Sequence, residues 1–216
     1  MLQTIILQIL EIVGTIAFAI SGAFVAIKAR LDLFGVLFIG CITAVGGGIT
    51  RDILIGQTPP AIFSNLHILL IATFSALIVF IISYIYNQKF DELEKKTERI
   101  NNFFDAVGLS AFSVMGTEIA FVQGLSSNVF LSIMLGLLTG VGGGIFRDIL
   151  TSTTPYVFKK HIYAIASIFG ASVYYILRVC LDGTLIASAV GMLLILTVRM
   201  LATKYRWSLP KVHLQD

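Results

Sequence analysis

Seven long apolar runs, separated by short polar breaks, fill almost the whole chain. About 20 apolar residues span the hydrocarbon core of a bilayer. On that rule membrane helices are predicted at about Thr4–Ile27, Leu33–Ile55, Leu66–Tyr86, Phe103–Phe121, Val129–Leu150, His161–Leu181 and Leu185–Leu201. Lys28 and Arg30 close the first run. Gly56-Gln57-Thr58-Pro59-Pro60 and Thr154-Pro155 read as turns, because proline has no N–H with which to continue a helix. The strongly polar stretch runs from Asn87 to Asn102 and holds Asp91, Glu92, Glu94, Lys95, Lys96, Glu98 and Arg99. Its mixed charges predict a short solvated helix or linker. After the seventh run comes a short basic tail with Trp207 as an interfacial anchor.

Composition changes this picture from a count of helices to a class of protein. The chain is 57% hydrophobic and 12% charged, whereas a soluble domain carries about 25% charged residues. The expectation is an all-α membrane protein with its core built between helices. No nucleophile, base and orienting group fall together and no P-loop appears, so no enzyme is expected. No cofactor, metal or nucleic-acid partner is expected either: His67 and His161 begin helices with no clustered ligands, and Cys41 and Cys180, inside apolar runs, read as free, buried thiols. The first apolar run lacks a basic stretch before it, which predicts no cleaved leader.

Charge placement sets the orientation. Thirteen of the fifteen Lys and Arg residues lie on the face reached after helices one, three, five and seven; only Arg51 and Arg178 lie on the other. Basic residues stay cytoplasmic, so the expectation is a cell (inner or plasma) membrane protein with its N-terminus outside and its C-terminus in the cytoplasm.

The chain also repeats itself. Ala44-Val45-Gly46-Gly47-Gly48-Ile49-Thr50-Arg51-Asp52-Ile53-Leu54 returns as Gly140-Val141-Gly142-Gly143-Gly144-Ile145-Phe146-Arg147-Asp148-Ile149-Leu150. Upstream, Glu11 and Gly14 answer Asp105 and Gly108; downstream, Pro60 and Phe63 answer Pro155 and Phe158. The predicted layout is a first three-helix repeat at 1–86, a charged cytoplasmic linker at 87–102, a second repeat at 103–181, and a seventh helix with basic tail at 182–216. Three is odd, so the second repeat enters the membrane inverted. Inverted repeats recur in transporters, with the site at the repeat interface built from interrupted helices.

Chemistry concentrates at the doubled motif. Glycine costs about 0.8–1.0 kcal/mol relative to alanine inside a helix. Gly46, Gly47, Gly48, Gly142, Gly143 and Gly144 therefore mark either close helix packing or paired hinges along a permeation route, and the repetition favours the hinges. A broken helix would offer carbonyls to a cation or N–H groups to an anion. Arg51, Asp52, Arg147 and Asp148 follow the triplets near helix ends, where long side chains either snorkel to the interface or form charges at a pore mouth or gate. Glu11 and Asp105, near opposite mouths, are placed to concentrate cations. Thr15, Ser21, Thr43, Thr117 and Thr139 are candidates to line the route, although such hydroxyls often bond back to their own helix. Glu118 has no acidic counterpart, since the register puts Phe24 opposite it. Lys159 and Lys160 form a basic patch suited to lipid headgroups.

Two G-G-G-x-x-R-D segments in inverted three-helix repeats, followed by a seventh helix, resemble the prokaryotic trimeric intracellular cation (TRIC) channel family, over nearly the whole chain from Glu11 to about Leu201. The resemblance implies a homotrimer with an hourglass pore in each protomer, lined by helices two and five kinked at the glycine triplets. It implies passage of monovalent cations, potassium first and sodium second. Animal relatives bind a phosphoinositide through basic residues of the fifth helix, a cluster this fifth helix lacks. Some bacterial relatives are linked to uptake of glycine or similar small neutral amino acids, so a secondary transporter stands as the alternative.

Overall fold

The computed structural model describes residues 2–86, 94–159, 162–181 and 183–207, apart from the side chains of residues 94–96 and 159. Among the described residues, seven helices are long and apolar enough to cross a membrane. They are α1 (Leu2–Lys28), α2 (Leu33–Leu54), α3 (Leu66–Ile85), α4 (Glu94–Val122), α5 (Val129–Leu150), α6 (Ala164–Leu181) and α7 (Thr184–Tyr205). One 3₁₀ turn, Ala61–Phe63, precedes α3, and a single helical turn, Tyr156–Lys159, precedes α6. At 1.5 Å per residue, the 22 residues of α2 and of α5 reach about 33 Å, close to the thickness of a hydrocarbon core. Their starts are fixed alike: the Asp32 side chain accepts from the Gly35 N–H at 2.8 Å and Asn128 from the Leu131 N–H at 3.0 Å, satisfying one of the orphan donors of each first turn.

Three boundaries differ from expectation, the last being the end of α7 at Tyr205 rather than Leu201. α4 begins at Glu94 rather than near Phe103, so the end of the polar stretch is the first part of a membrane helix. Its Asn101 and Asn102 are buried, and Asn101 accepts a 2.8 Å hydrogen bond from Ser21 of α1. That partner turns polar residues inward, where composition alone would leave them in solvent. The sixth span begins at Ala164, after the short turn at Tyr156–Lys159; His161 lies outside the described residues.

The two halves pack by the same contacts. In the first, a side chain at Gly22 would meet the Thr43 hydroxyl and the Ile39 carbonyl; in the second, one at Gly116 would meet Thr139 and the Leu135 carbonyl. Small residues let these helices approach closely, which is how helices associate where lipid is as apolar as leucine. The halves then meet through α1 against α4 and α2 against α5. At the first seam Phe18 lies over Gly108 and Phe112 over Gly14, their rings 5.3 Å apart. α7 stands outside this symmetry and packs against α4 and α6. Large apolar side chains such as Phe34, Phe74, Phe130 and Leu193 point outward, the surface an apolar solvent requires.

One detail of the cysteines departs from expectation. Both are free, but Cys180 is exposed, and Cys41 is half-buried with its sulfur 3.2 Å from the Thr73 hydroxyl.

Candidate functional site

The seam between α2 and α5 is made of the glycine triplets. A Cβ on Gly47 would collide with the carbonyl of Thr139, and a Cβ on Gly143 with the carbonyl of Thr43. Gly142 adds to the contact, its Cβ position 3.0 Å from the Gly47 Cα. Backbone therefore meets backbone, with no side chain between. Both helices keep their winding through the triplets without interruption. Freed carbonyls and N–H groups, expected of broken helices, are not what the glycines supply here; they supply a crossing at main-chain distance. Gly48 and Gly144 face away from it, towards opposite ends of the bundle, each with an arginine Nη2 within 4 Å of its Cβ position (3.8 Å for Arg51, 3.7 Å for Arg147).

Two recesses flank the crossing, and each wall residue of the second has its counterpart in the wall of the first. Gly48, Asp52, Ala61, Ile62 and Ile68 line one; Gly144, Asp148, Tyr156, Val157 and Tyr163 line the other. The aspartates are seated alike: Asp52 Oδ2 accepts from the Ala61 N–H at 3.0 Å, and Asp148 Oδ2 from the Tyr156 N–H at 2.8 Å. Each arginine donates through Nε to its own neighbour, Arg51 to Asp52 at 2.9 Å and Arg147 to Asp148 at 2.8 Å. Neither arginine snorkels. Arg51 is 6% exposed and Arg147 0%.

Beyond that shared frame the two ends differ. Arg147 Nη1 donates to Asp105 Oδ1 at 2.8 Å and to Ser21 Oγ at 2.7 Å, tying α5 to α4 and α1. On the other side the positions equivalent to Ser21 and Asn101 are Met115 and Leu7. These offer Arg51 no acceptor, and its side chain bonds Asp52 alone among the described residues. Glu11, the counterpart of Asp105, is half-buried and lines the recess with Arg51 and the Thr15 hydroxyl, which has no hydrogen-bond partner. About 40 Å³ of that recess admits water, room for a few molecules at roughly 10–15 Å³ each. The Arg147 recess admits none. Tyr156 and Tyr163 replace the smaller Ala61 and Ile68, and Arg199 of α7 lies over the Tyr163 ring at 4.5 Å. Within the described residues, one recess is hollow and the other filled.

The remaining candidates divide clearly. Thr139 also lines the hollow recess, although its hydroxyl bonds back to the Leu135 carbonyl at 2.6 Å. Thr43 and Thr117 bond back to Ile39 and Ser113. Gly46 is covered by the Phe146 ring, 2.7 Å from its Cβ position. Lys160 and the side chain of Lys159 lie outside the described residues.

Two features escaped the sequence. Arg199 counted only as one more basic residue near a helix end, yet it is 1% exposed in a helix that continues to Tyr205. Its signal was available: an arginine inside an apolar span needs a partner. The second feature is the seat of Glu118. It accepts from Gln3 Nε2 at 2.7 Å and from the Tyr174 hydroxyl, and lies 3.3 Å from Arg178 Nε. This cluster staples the start of α1 to α4 and α6, where Phe24 and Val79 occupy the places equivalent to Glu118 and Tyr174 in the first repeat.

Known proteins resemble this chain in sequence and fold. A family model described as glycine transporter matches residues 8–84 and again residues 102–179, one match on each half. A UPF0126 membrane protein of Deinococcus radiodurans is 37% identical over 209 residues, covering 96% of this chain and 92% of that protein. The UPF0126 inner membrane protein YadS of Escherichia coli K12 is 34% identical over 215 residues, 96% of each chain. Among solved structures, a prokaryotic TRIC channel in 0.5 M KCl superposes with a TM-score of 0.85 at 35% identity, covering 95% of this chain and 100% of that one. The TRIC orthologue from Rhodobacter sphaeroides gives 0.83 at 28% identity, over 93% and 98%. With one family model fitting both halves and relatives aligned along nearly the full length, the chain belongs to the glycine transporter family, that of the UPF0126 membrane proteins, and has the fold of the TRIC channels.

Proposed function

We propose that this protein is a passive channel for monovalent cations, potassium foremost, with its route inside each protomer of a homotrimer between α2 and α5. One observation carries the reading: two recesses of equivalent construction sit either side of one crossing, and one of them holds water-sized space beside Glu11. The hollow recess carries two carboxylates, Glu11 and Asp52, against one guanidinium, Arg51. An acidic recess with low-dielectric walls raises the local cation concentration. The solved relatives are cation channels, which agrees with that charge. Arg147, Asp148 and Asp105 form the closed gate, and the glycines of both triplets let α2 and α5 separate, because backbone meets backbone at Gly47 and Gly143.

The distribution of basic residues supports a cytoplasmic C-terminus, which puts the Arg147 recess on the cytoplasmic side and the Arg51 recess outside. An inner-membrane location agrees with the E. coli relative. By their order in the sequence, Lys159 and Lys160 belong to this cytoplasmic side, a basic pair suited to anionic headgroups.

A second reading has its own observation. Glu11 and Arg51 share one recess, and an acid beside a guanidinium is also complementary to a zwitterion such as glycine, the substrate named in the family description. Purified protein in planar bilayers separates the two. Unitary potassium currents that grow linearly with voltage establish the channel. Saturable glycine uptake into proteoliposomes without unitary currents replaces it with the transporter.

A further inference from the structure

We propose that Arg199 is a tethered cation that holds the Arg147 recess closed by occupying, next to Asp105, the place a permeant cation takes on the other side. This rests on the reading of the recesses as the two ends of a cation route.

The argument begins with charge. The duplicated unit places two carboxylates and one arginine at each end: Glu11, Asp52 and Arg51 line the hollow recess, while at the other end Asp148 lines the filled one and Arg147, behind it, bonds both Asp148 and Asp105. Symmetry alone leaves both ends with the same excess negative charge. α7, which the duplication does not contain, changes one end only. It brings Arg199 to 3.9 Å from Asp105 Oδ2 and neutralises that excess.

Geometry adds that the arrangement is closed without being fully satisfied. A gap of 3.9 Å is an ion pair and not a hydrogen bond. Asp105 Oδ2, Arg147 Nη2, Arg199 Nε and Nη2, and the Tyr163 hydroxyl are all buried with no hydrogen-bond partner. Unpaired buried polar groups each cost free energy, and these five belong to one cluster: Arg147 and Arg199 both approach Asp105, and Arg199 lies over Tyr163 in the wall of the filled recess. Arg199 is seated instead on the face of the Tyr163 ring, a contact a cation makes without a fixed acceptor. A guanidinium held by charge and an aromatic face can leave and return without breaking a hydrogen bond. Being part of the chain, it competes with free cations at high effective concentration.

The test uses the full chain with Cys41→Ser, Cys180→Ser and a reporter, Val157→Cys, in the wall of the filled recess. Labelling by a charged, membrane-impermeant thiol reagent from either side reads the opening directly. Potassium conductance in planar bilayers reads its consequence. Arg199→Gln is expected to speed labelling and raise conductance, each about tenfold at low salt, the scale on which a local field concentrates counter-ions. Arg199→Lys, which keeps the charge, is expected to stay within about twofold of the parent on the same scale. Tyr163→Leu, which removes the seat and keeps the arginine, is expected to move both readings in the direction of Arg199→Gln. Faster labelling with no cation current under any condition sustains the closure by Arg199 and removes the conduction reading. A folded Arg199→Gln protein with unchanged labelling overturns the proposal. If that variant does not fold, unchanged labelling of Tyr163→Leu overturns it, and faster labelling sustains it.

Discussion

Arg147 and Asp105 form a 2.8 Å ion pair with both side chains wholly buried, while their counterparts Arg51 and Glu11 line a water-sized hollow at the other end of the bundle. The same pair of charges therefore has two environments in one molecule. Removing one partner of a buried pair leaves an uncompensated charge and costs about 3–5 kcal/mol. Asp105→Asn is expected to lose about 3 kcal/mol, the low end of that range, because Asp148 still bonds Arg147. Glu11→Gln, beside water, is expected to lose less than about 1 kcal/mol. Denaturant titration of both variants in detergent micelles compares them, and equal losses would contradict the asymmetry.

The crossing predicts a contrast within a single triplet. Gly47→Ala and Gly143→Ala each push a methyl into a facing carbonyl, and overpacking of this kind costs about 1–3 kcal/mol. The two losses should be nearly equal, since the contacts mirror one another. Gly48→Ala meets only the end of the Arg51 side chain, and alanine gains up to about 1 kcal/mol of helix propensity, so it should be neutral or stabilising. Thermal unfolding of the three variants decides this. A Gly48→Ala protein as unstable as Gly47→Ala removes the crossing as the reason for the glycines.

Much of this architecture is legible without coordinates because apolar length and repetition are properties of the chain itself. The seven spans follow from run length, and the doubled motif locates the seam between α2 and α5. What the glycines do there is less legible, because close packing and a break in the helix use the same residue. Only the facing atoms separate them, and Thr139 and Thr43 come from the opposite half. The inward turn of Asn101 was hidden for a related reason: its partner Ser21 lies eighty positions away. Tyr163 is hidden because it lies outside the doubled motif, and Arg199, legible as an arginine inside an apolar span, has a partner that the sequence does not name; the difference between the recesses arises where the halves stop matching.

The Ser21–Asn101 contact makes a prediction of its own. Ser21 Oγ accepts from Arg147 and donates to Asn101, so it links three helices through one hydroxyl. Ser21→Ala removes an acceptor from a buried guanidinium, for which the cost is about 1–3 kcal/mol. Asn101→Ala leaves the Arg147 bonds in place and should cost about 1 kcal/mol. If the two act through one network, the double variant should lose less than the sum of the singles. Equilibrium unfolding of the four proteins measures that coupling, and simple additivity would mean that Asn101 merely sits beside Ser21.

Glu11 offers the sharpest test of the charge argument, because its replacement is expected to alter conduction with little effect on folding. Its carboxylate stands in the hollow recess, not in a closed ion pair. Replacing it with glutamine removes one of the two negative charges there and leaves Asp52 largely matched by Arg51, whose Nε and Nη2 both donate to it. The excess that gathers cations then vanishes. Potassium conductance in Glu11→Gln is expected to fall by about tenfold at low salt. The deficit should shrink as salt passes ~0.1 M, where the Debye length is only about 10 Å, and Glu11→Asp should recover most of the loss. A reduction independent of salt would instead identify Glu11 as part of the wall, acting through its shape.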